Sequence, residues 1–206
     1  GLTTASVQSG GAVIDTNFAS NAVVSQSLLD GGGGGGLTKS GTGTLQLNGV
    51  NTYTGTTTIS QGSLGGTGTI AGPVAIQSGA GINLVNASSS DTLTLQNGLA
   101  LSDTNLLTFE VGGGTSDQIA ITGGAYTAPT SPADVDVQVV GTLGLGVRKL
   151  ITGAAGINAA DFNLVTASPL GYDFALQVTG DDLELNVTSV SPAIAYWKGG
   201  VSGSWS

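Results

Sequence analysis

The chain has 206 residues, of which 36 are Gly, and it contains no Cys, Met or His. Only 8% of its residues are charged, yet 13 acids against 4 bases give a net charge of −9. Four basic residues cannot form a patch that would displace the counterions of a duplex, and no stretch approaches the roughly 20 apolar residues of a membrane-spanning helix. We therefore expect no nucleic-acid partner, no direct membrane insertion and, without Cys, no disulfide framework.

An apolar content of 39%, rich in Val, Ile and Leu, predicts an all-β protein with a buried core, because disordered chains have low hydrophobicity. In residues 1–36, short strands are predicted around positions 12–14 and 22–24. Six consecutive glycines, Gly31 to Gly36, follow them. Because such a run has no preferred conformation, we predict a loop that protrudes from one rung and separates two N-terminal rungs from the next segment.

The segment from Leu37 to Gly72 alternates apolar residues with Thr, Gln and Asn, and Gly or Asn recurs every few residues. This pattern predicts short strands that turn sharply and repeatedly. Three elements stand out, namely Gly-Thr-Gly-Thr-Leu at 41–45, Asn-Thr-Tyr-Thr-Gly at 51–55 and Thr-Thr-Ile at 57–59. Through these elements the segment resembles the passenger-associated repeat of autotransporters and related giant bacterial surface proteins.

The resemblance is most specific from residue 37 to about residue 121, and it implies a right-handed parallel β-helix, or β-solenoid. It implies a fold signature and no active site. The signature residues are Gly41, Gly43, Thr44, Leu45, Leu47, Asn51, Tyr53, Gly55, Ile59 and Gly62. The four glycines are expected to shape the corners. The residues expected to fill the dry interior are Leu45, Leu47, Ile59, Ile70, Val74, Ile76, Ile82 and Leu84.

The short-strand pattern continues to residue 124, so residues 37–124 are assigned to the β-helix core. Longer alternating strands follow at 135–139, 174–178 and 183–187, and strands with one polar face are typical of antiparallel pairing or a capping sheet. We therefore predict an irregular, partly antiparallel C-terminal part at 125–190. In the resembling family a closing strand like 179–187 ends such a module. Residues 191–206, with their dense aromatics, are interpreted as a linker or the start of the next module.

No catalytic, cofactor-binding or metal-binding residue is predicted, and no cofactor is expected. Without Cys and His, the chain cannot form a catalytic pair of a Ser or Cys nucleophile with a His base. A Ser–Lys pair is not indicated either, because Lys39, Lys149 and Lys198 are predicted in turns outside any nucleophile motif. The spacing of Gly31, Gly33 and Gly36 fits a dinucleotide fingerprint, but a strand follows where that motif needs a helix.

Carboxylate chemistry is also not favoured. A glycosidase needs two carboxylates across a cleft, and Glu110 and Glu184, which are the chain's two Glu residues, are predicted at outward positions of alternating strands. The pairs 134/136 and 181/182 are Asp residues that could hold calcium, but neither lies in a calcium-loop pattern, and both are interpreted as solvated. We therefore expect that the chain is not an enzyme.

Two functions remain. The first is a structural module of a secreted or cell-surface bacterial protein, such as a passenger-like stalk, an adhesin or an extracellular fibre. Its partners would be neighbouring modules or subunits associated head to tail, and a host-cell or matrix surface. The alternative is a polysaccharide-binding or polysaccharide-cleaving β-helix. That function would need a row of aromatics or a carboxylate cluster, whereas Tyr53, Tyr126 and Tyr172 are scattered.

Overall fold

The computed structural model describes residues 4–17, 21–169 and 171–189. Over these residues the chain winds repeatedly around a common interior, and one circuit of it is called a coil below. Coils 1 to 4 each contain three short strands. Coil 1 contains β1 (Ala5–Val7), β2 (Ala12–Asp15) and β3 (Asn21–Val24), and coil 2 contains β4 (Leu28–Asp30), β5 (Leu37–Ser40) and β6 (Thr44–Leu47). Coil 3 contains β7 (Val50–Asn51), β8 (Thr57–Ile59) and β9 (Ser63–Gly65), and coil 4 contains β10 (Thr69–Ile70), β11 (Val74–Ile76) and β12 (Gly81–Asn83).

The later coils are longer and less regular. Coil 5 contains β13 (Thr92–Leu95), β14 (Leu99–Leu101) and β15 (Leu106–Gly113), and the short β16 (Thr115–Ser116) folds back on β15. Coil 6 contains β17 (Gln118–Ile121), β18 (Tyr126–Thr127) and β19 (Ala133–Leu143). Coil 7 contains β20 (Gly146–Thr152), a 3₁₀ helix (Ala159–Asp161) and β21 (Phe162–Leu164). The last described strands are β22 (Tyr172–Thr179) and β23 (Asp182–Ser189).

Corresponding strands of successive coils pair in parallel and form three faces. Face 1 contains the pair β1–β4 and the order β7–β10–β13–β17–β20, face 2 the order β2–β5–β8–β11–β14–β18, and face 3 the order β3–β6–β9–β12–β15–β19–β21. The prediction of an all-β parallel β-helix is therefore confirmed. The right-handed sense of the β-helix stays a prediction, in line with the general preference of parallel crossovers.

Side chains that point inward stack into apolar columns along the helix axis. On face 3, Leu45 lies beside Leu64, Leu64 beside Ile82, Ile82 beside Leu107, and Leu107 beside Val135. Each of these side chains has an exposure of 0%. Since every rung buries its inward residues only against the rungs above and below, stability comes from stacking of neighbours. All eight residues expected to fill the interior are buried.

The coils differ in length. Val74 lies beside Thr57 and Leu99 beside Val74, so successive circuits on face 2 add 17 and then 25 residues. The longer circuits carry a loop at residues 85–91 and the β15–β16 hairpin. These additions lie over face 1 and face 3 of coils 5 to 7, and they build the polar features described below.

The C-terminal part is partly antiparallel, as predicted. Strand β23 pairs antiparallel with both β20 and β22, and Leu183, Leu185 and Val187 of β23 are buried. Strand β19, in contrast, pairs parallel with β15 and β21, so the expectation of antiparallel or capping strands at 135–139 is wrong. Its alternation reflects one face turned to the interior of a parallel coil and the other to solvent.

The glycine run is a corner of coil 2, between β4 and β5, and is not a loop that protrudes from a rung. Gly35 is buried, and a Cβ added there would lie 1.7 Å from the carbonyl oxygen of Gln8 in coil 1. The carbonyl oxygen of Gly36 accepts a hydrogen bond from the backbone N–H of Ala12 at 2.9 Å. The run therefore stacks closely on the coil before it. The predicted linker at 191–206 lies outside the described residues.

Candidate functional site

The apolar signature residues lie inside the β-helix. Leu45, Leu47, Ile59 and Tyr53 are each 0% exposed, whereas Thr44 points outward and is half-buried. The hydroxyl groups of Tyr53 and Thr57 are 2.5 Å apart. Burial raises the pKa of Tyr53 to about 12, and the hydrogen bond with Thr57 offsets part of this shift. An enclosed, neutral phenol of this kind stabilises the coil and cannot reach a ligand.

Three of the signature glycines, Gly41, Gly55 and Gly62, lie where neighbouring coils approach closely. A Cβ at Gly55 would lie 2.4 Å from the carbonyl oxygen of Gly34, and one at Gly62 would lie 2.4 Å from that of Gly43. Gly62 also has a φ of 64°, and Gly41 has a φ of 79°. The carbonyl oxygen of Gly43 accepts the backbone N–H of Ser63 at 3.2 Å. At these corners a side chain would push two backbones apart, which explains the residue type.

Asn51 joins three coils. Its side chain is fully buried, and its Oδ1 accepts the backbone N–H of Leu28 at 3.0 Å. Its Nδ2 donates to the carbonyl oxygens of Gly49 at 2.9 Å and Thr69 at 3.0 Å. Both donors and an acceptor of the amide are used, so Asn51 links coils 2, 3 and 4 by hydrogen bonds. A buried side chain that links coils in this way is called a clasp below.

Asn105 is a second clasp, and it was not predicted from the sequence. Asn105 is fully buried, and its Nδ2 donates to the carbonyl oxygens of Gln77 at 2.7 Å and Ala80 at 3.0 Å. Its Oδ1 accepts the backbone N–H of Ser102 at 2.8 Å. The signal in the sequence is an Asn at a corner, directly before an inward-facing strand. Asn105 has no neighbouring motif that would distinguish it from a turn residue.

Lys39 lies in β5, and its predicted placement in a turn is wrong. Its side chain is 0% exposed and occupies the same inward column as Ile59. Its Nζ donates to the carbonyl oxygens of Ser40 at 3.0 Å, Gly41 at 2.6 Å and Gln61 at 2.8 Å. Burial lowers the pKa of Lys39, and the nearby Asp15 partly opposes this. All three ammonium protons are used, so Lys39 is another clasp between coils.

Lys149, also predicted in a turn, lies in strand β20. Its Nζ lies 2.7 Å from Oδ2 of Asp182, and this ion pair raises the pKa of Lys149 and lowers that of Asp182. Asp136, from the other Asp pair of the sequence analysis, accepts a hydrogen bond from the Thr166 hydroxyl at 2.6 Å. In the part of the chain that the structure describes, no group of three or more acidic side chains could hold a metal ion.

Two buried carboxylates hold the loop at residues 85–91. Glu110 alternates outward on β15 as predicted, but the loop covers it and leaves it 3% exposed. Its carboxylate accepts the backbone N–H groups of Asn86 at 2.7 Å, Ala87 at 3.0 Å and Ser88 at 3.1 Å. These bonds satisfy the buried charge, so Glu110 is a structural group of the loop.

The second carboxylate, Asp117, is 0% exposed. It accepts the backbone N–H groups of Asp91 at 3.1 Å and Glu110 at 2.9 Å. Burial raises the pKa of Asp117 to about 6, although these two hydrogen bonds oppose the shift. Glu184, which was also predicted to point outward, is 7% exposed and accepts hydrogen bonds from the side chains of Gln177 and Thr179, each at 2.8 Å.

An open pocket of about 310 Å³ lies beside the loop and the β15–β16 hairpin. Its walls come from coils 5, 6 and 7. Hydroxyl and amide side chains line most of it, namely those of Ser90, Thr92, Thr115, Ser116 and Gln118. Val147, Arg148 and Lys149 of β20 complete the wall. This pocket is not predictable from the sequence, because its residues are far apart in the chain.

Arg148 is the charged group of the pocket wall that lies deepest, with an exposure of 3%. Its Nη1 donates to the carbonyl oxygen of Gly146 at 3.0 Å, and its Nη2 donates to those of Gly113 and Gly144, each at 2.5 Å. Burial lowers the pKa of Arg148. The guanidinium thus ties the ends of β15, β19 and β20 together at the pocket.

Comparison with known families assigns the signature segment. Residues 37–65 match the passenger-associated-transport-repeat family. No curated protein matches the chain significantly. Among the described residues, none belongs to a helix with the length and apolar character needed to cross a membrane. The matched segment begins with the first residue of β5 and ends with the last residue of β9, so it covers one circuit of the β-helix and two further strands. Residues 37–65 are therefore similar to a passenger-associated-transport repeat, as the resemblance in the sequence implies.

Proposed function

We propose that the chain is a non-catalytic structural segment of the passenger of an autotransporter-like surface protein, exposed outside a bacterial cell as part of a stalk, adhesin or fibre. The observation that carries the proposal is the coincidence between the family match at 37–65 and the strands β5 to β9. The residues of that repeat are used for stacking coils. A stacked β-helix is a rod that extends as coils are added, which suits a display role.

The buried side chains of the repeat support the same role. Asn51, Lys39 and Tyr53 direct their polar atoms to other groups of the protein. Such residues give the rod internal connections and present little chemistry to a substrate. The outward positions Thr38, Thr58 and Ala75 lie side by side on face 2 and form a flat, small-residue surface.

Localisation is tested in the organism that makes the full-length protein. Intact cells are treated with a protease that cannot enter them, and fragments from residues 37–65 are then measured by mass spectrometry. Release of these fragments from intact cells is the expected result. If the fragments appear only after the cells are lysed, the surface role is wrong.

We further propose that the module associates with a neighbouring module through its N-terminal end, head to tail. Strands β1, β2 and β3 each pair on one side only among the described residues, with β4, β5 and β6. The inward residues Ala12 and Ile14 at that end are only partly buried. An unpaired strand edge above partly exposed apolar residues is a template for another strand.

Association is tested by light scattering and electron microscopy of the purified protein over a concentration series. Because Ala12 donates its N–H to Gly36 in coil 2, alternation directs the N–H of Val13 to the free edge. The variant Val13→Pro removes that N–H and should weaken association, whereas Val13→Thr keeps it and should not. A monodisperse wild-type monomer at high concentration would rule out self-association and leave the segment as one part of a longer rod.

A further inference from the structure

The guanidinium of Arg148 carries a buried charge, and its hydrogen-bond partners are backbone carbonyl oxygens. Among the described residues no carboxylate neutralises this charge, since the one ion pair there joins Lys149 and Asp182. A guanidinium has five N–H donors, and the carbonyl oxygens described above take three of them. The Nε of Arg148 is buried without a hydrogen-bond partner in this part of the protein. The Nε is too deeply buried to reach a ligand, but the guanidinium keeps a positive charge beside the pocket, which favours an anion.

The other side chains of the pocket suit a polyhydroxylated ligand. Thr92 and Gln118 lie side by side on β13 and β17 and point outward. Neither side chain makes a hydrogen bond within the described residues, so both can donate and accept. Val147, which is 50% exposed, supplies an apolar surface at the same wall. Hydroxyl, amide and one small apolar surface are the groups that contact the hydroxyls and the C–H face of a sugar ring.

We propose that this pocket binds one unit of an acidic saccharide, with the carboxylate or sulfate group of the sugar directed to Arg148. Its volume of about 310 Å³ lies at the lower end for ligand pockets, which limits the occupant to about one ring. The pocket lies outside residues 37–65, so this binding function is separate from the display role and does not rest on it.

A substitution that frees Lys149 from its ion pair should make the pocket bind an acidic sugar more tightly. Its ammonium group lines the pocket but is paired with Oδ2 of Asp182. The variant Asp182→Asn keeps an oxygen for the N–H of Gly153, which Oδ1 accepts at 3.0 Å, and it releases Lys149 from its ion pair. Affinity for an acidic sugar should then rise about threefold, by the usual strength of exposed ion pairs, while affinity for a neutral sugar should not change.

The test is an NMR titration of the purified chain with galacturonate, galactose 6-sulfate, methyl galactoside, acetate and sulfate. We expect saturable shifts at the amides of residues 114–118 and 147–149 with one or both acidic sugars. The two acidic sugars distinguish a carboxylate from a sulfate ligand. The neutral sugar and the simple ions should bind at least about tenfold more weakly, because each lacks half of the contacts.

Matched variants then test the site. Thr92→Val should weaken binding of the acidic sugar about fivefold by removing one hydrogen bond, whereas Thr94→Val, two residues along the same strand and outside the pocket, should leave it unchanged. Arg148→Lys, which keeps the charge, should bind more tightly than Arg148→Gln. The amide spectra of both Arg148 variants are compared with the wild type to establish that they fold.

Three results would overturn the proposal. These are equal affinity for the neutral and acidic sugars, affinity for acetate or sulfate as high as for the acidic sugars, and the absence of saturation with every ligand. A loss of affinity in Thr94→Val equal to that in Thr92→Val would contradict the location of the site.

Discussion

Two regions of this β-helix are held together by different interactions. In the repeat coils, residues 37–84, the buried polar residues are Lys39, Asn51 and Thr57, and their partners are backbone carbonyls, an N–H group and a hydroxyl. In the lengthened coils, residues 85–189, four buried residues carry charge, namely Glu110, Asp117, Arg148 and Glu184, and three of them are carboxylates, whereas the repeat coils contain no acidic residue.

The difference follows from coil length. A circuit of 17 residues, such as that from Thr57 to Val74, has short corners whose backbone groups bond to the next coil. The longer circuits leave segments such as residues 85–91 outside the regular ladder. Their backbone N–H groups then need acceptors, and buried carboxylates provide them. Regular stacking therefore leaves few backbone N–H groups that need a carboxylate, whereas irregular loops create that need.

The largest effect is expected for Gly55→Ala in the repeat coils. The new Cβ would lie 2.4 Å from backbone atoms of Gly34 and Gly35, and backbone cannot move aside as a side chain can. The free energy of unfolding should fall by about 3 kcal/mol. Urea denaturation measures it, with Gly10→Ala as the control, because a Cβ there meets nothing within 4 Å. Equal stability of the two variants would contradict close stacking of the coils at this corner.

The next effect is expected for Asn51→Ala, which removes the acceptor of the Leu28 N–H group and the donor to the carbonyl oxygens of Gly49 and Thr69. The free energy of unfolding should fall by about 2 kcal/mol. This loss should be independent of pH, because an amide does not titrate. Asn97→Ala, at an exposed position of coil 5, is the control and should be nearly neutral. A loss for Asn51→Ala no larger than the control's would mean that the clasp does not stabilise the fold.

A smaller effect, and one that depends on pH, is expected for Asp117→Asn in the lengthened coils. The folded-state pKa of Asp117 is raised to about 6 from 3.8, so the folded protein binds the proton more tightly than the unfolded chain does. The stability that this proton contributes is present below about pH 4 and is lost as the pH rises through 6.

The stability of the wild type relative to Asp117→Asn should therefore increase by about 1 to 2 kcal/mol between pH 7 and pH 4, after allowance for partial solvation of the loop. Urea denaturation at the two pH values measures the difference. Asp181→Asn, at an exposed position, is the control. A difference that does not change with pH would show that Asp117 is not buried as an ionisable group.

The smallest effect is expected for Lys149→Gln, which removes the surface ion pair with Asp182. More than half of the Lys149 side chain is exposed, so solvent and salt screen the pair. The small loss of stability should disappear in high salt. A loss that persists in high salt would indicate that Lys149 stabilises the protein by packing of its alkyl chain.

The strands and the interior of the repeat coils could be predicted from the sequence because alternation alone decides which residues point inward. Leu45 and Ile59 are examples. The same rule places Lys39 inward, although Lys39 was predicted in a turn. What permits the burial is the carbonyl oxygen of Gln61, which is 22 residues away in the chain and is brought close only by the stacking of two coils.

The lengthened coils were less predictable for a related reason. The alternation of Val135, Val137 and Val139 is compatible with either a parallel or an antiparallel partner, and the pairing of β19 with β15 decided it. The burial of Asp117 and the pocket at Arg148 depend on loops from three coils. No local pattern encodes how such loops cover one another.

The central claim, that buried carboxylates stabilise the lengthened coils and not the repeat coils, is tested most directly by hydrogen exchange of single amides at pH about 5 and about 7.5, in the wild type and in Asp117→Asn. We predict that the pH-dependent difference between the two proteins is confined to amides of the loop at 85–91, β15 and β17. The opening free energies of amides in β5 to β9 should be the same in both. An equal pH-dependent difference in the repeat coils would contradict the claim, because it would show that one cooperative network of charges stabilises the whole β-helix.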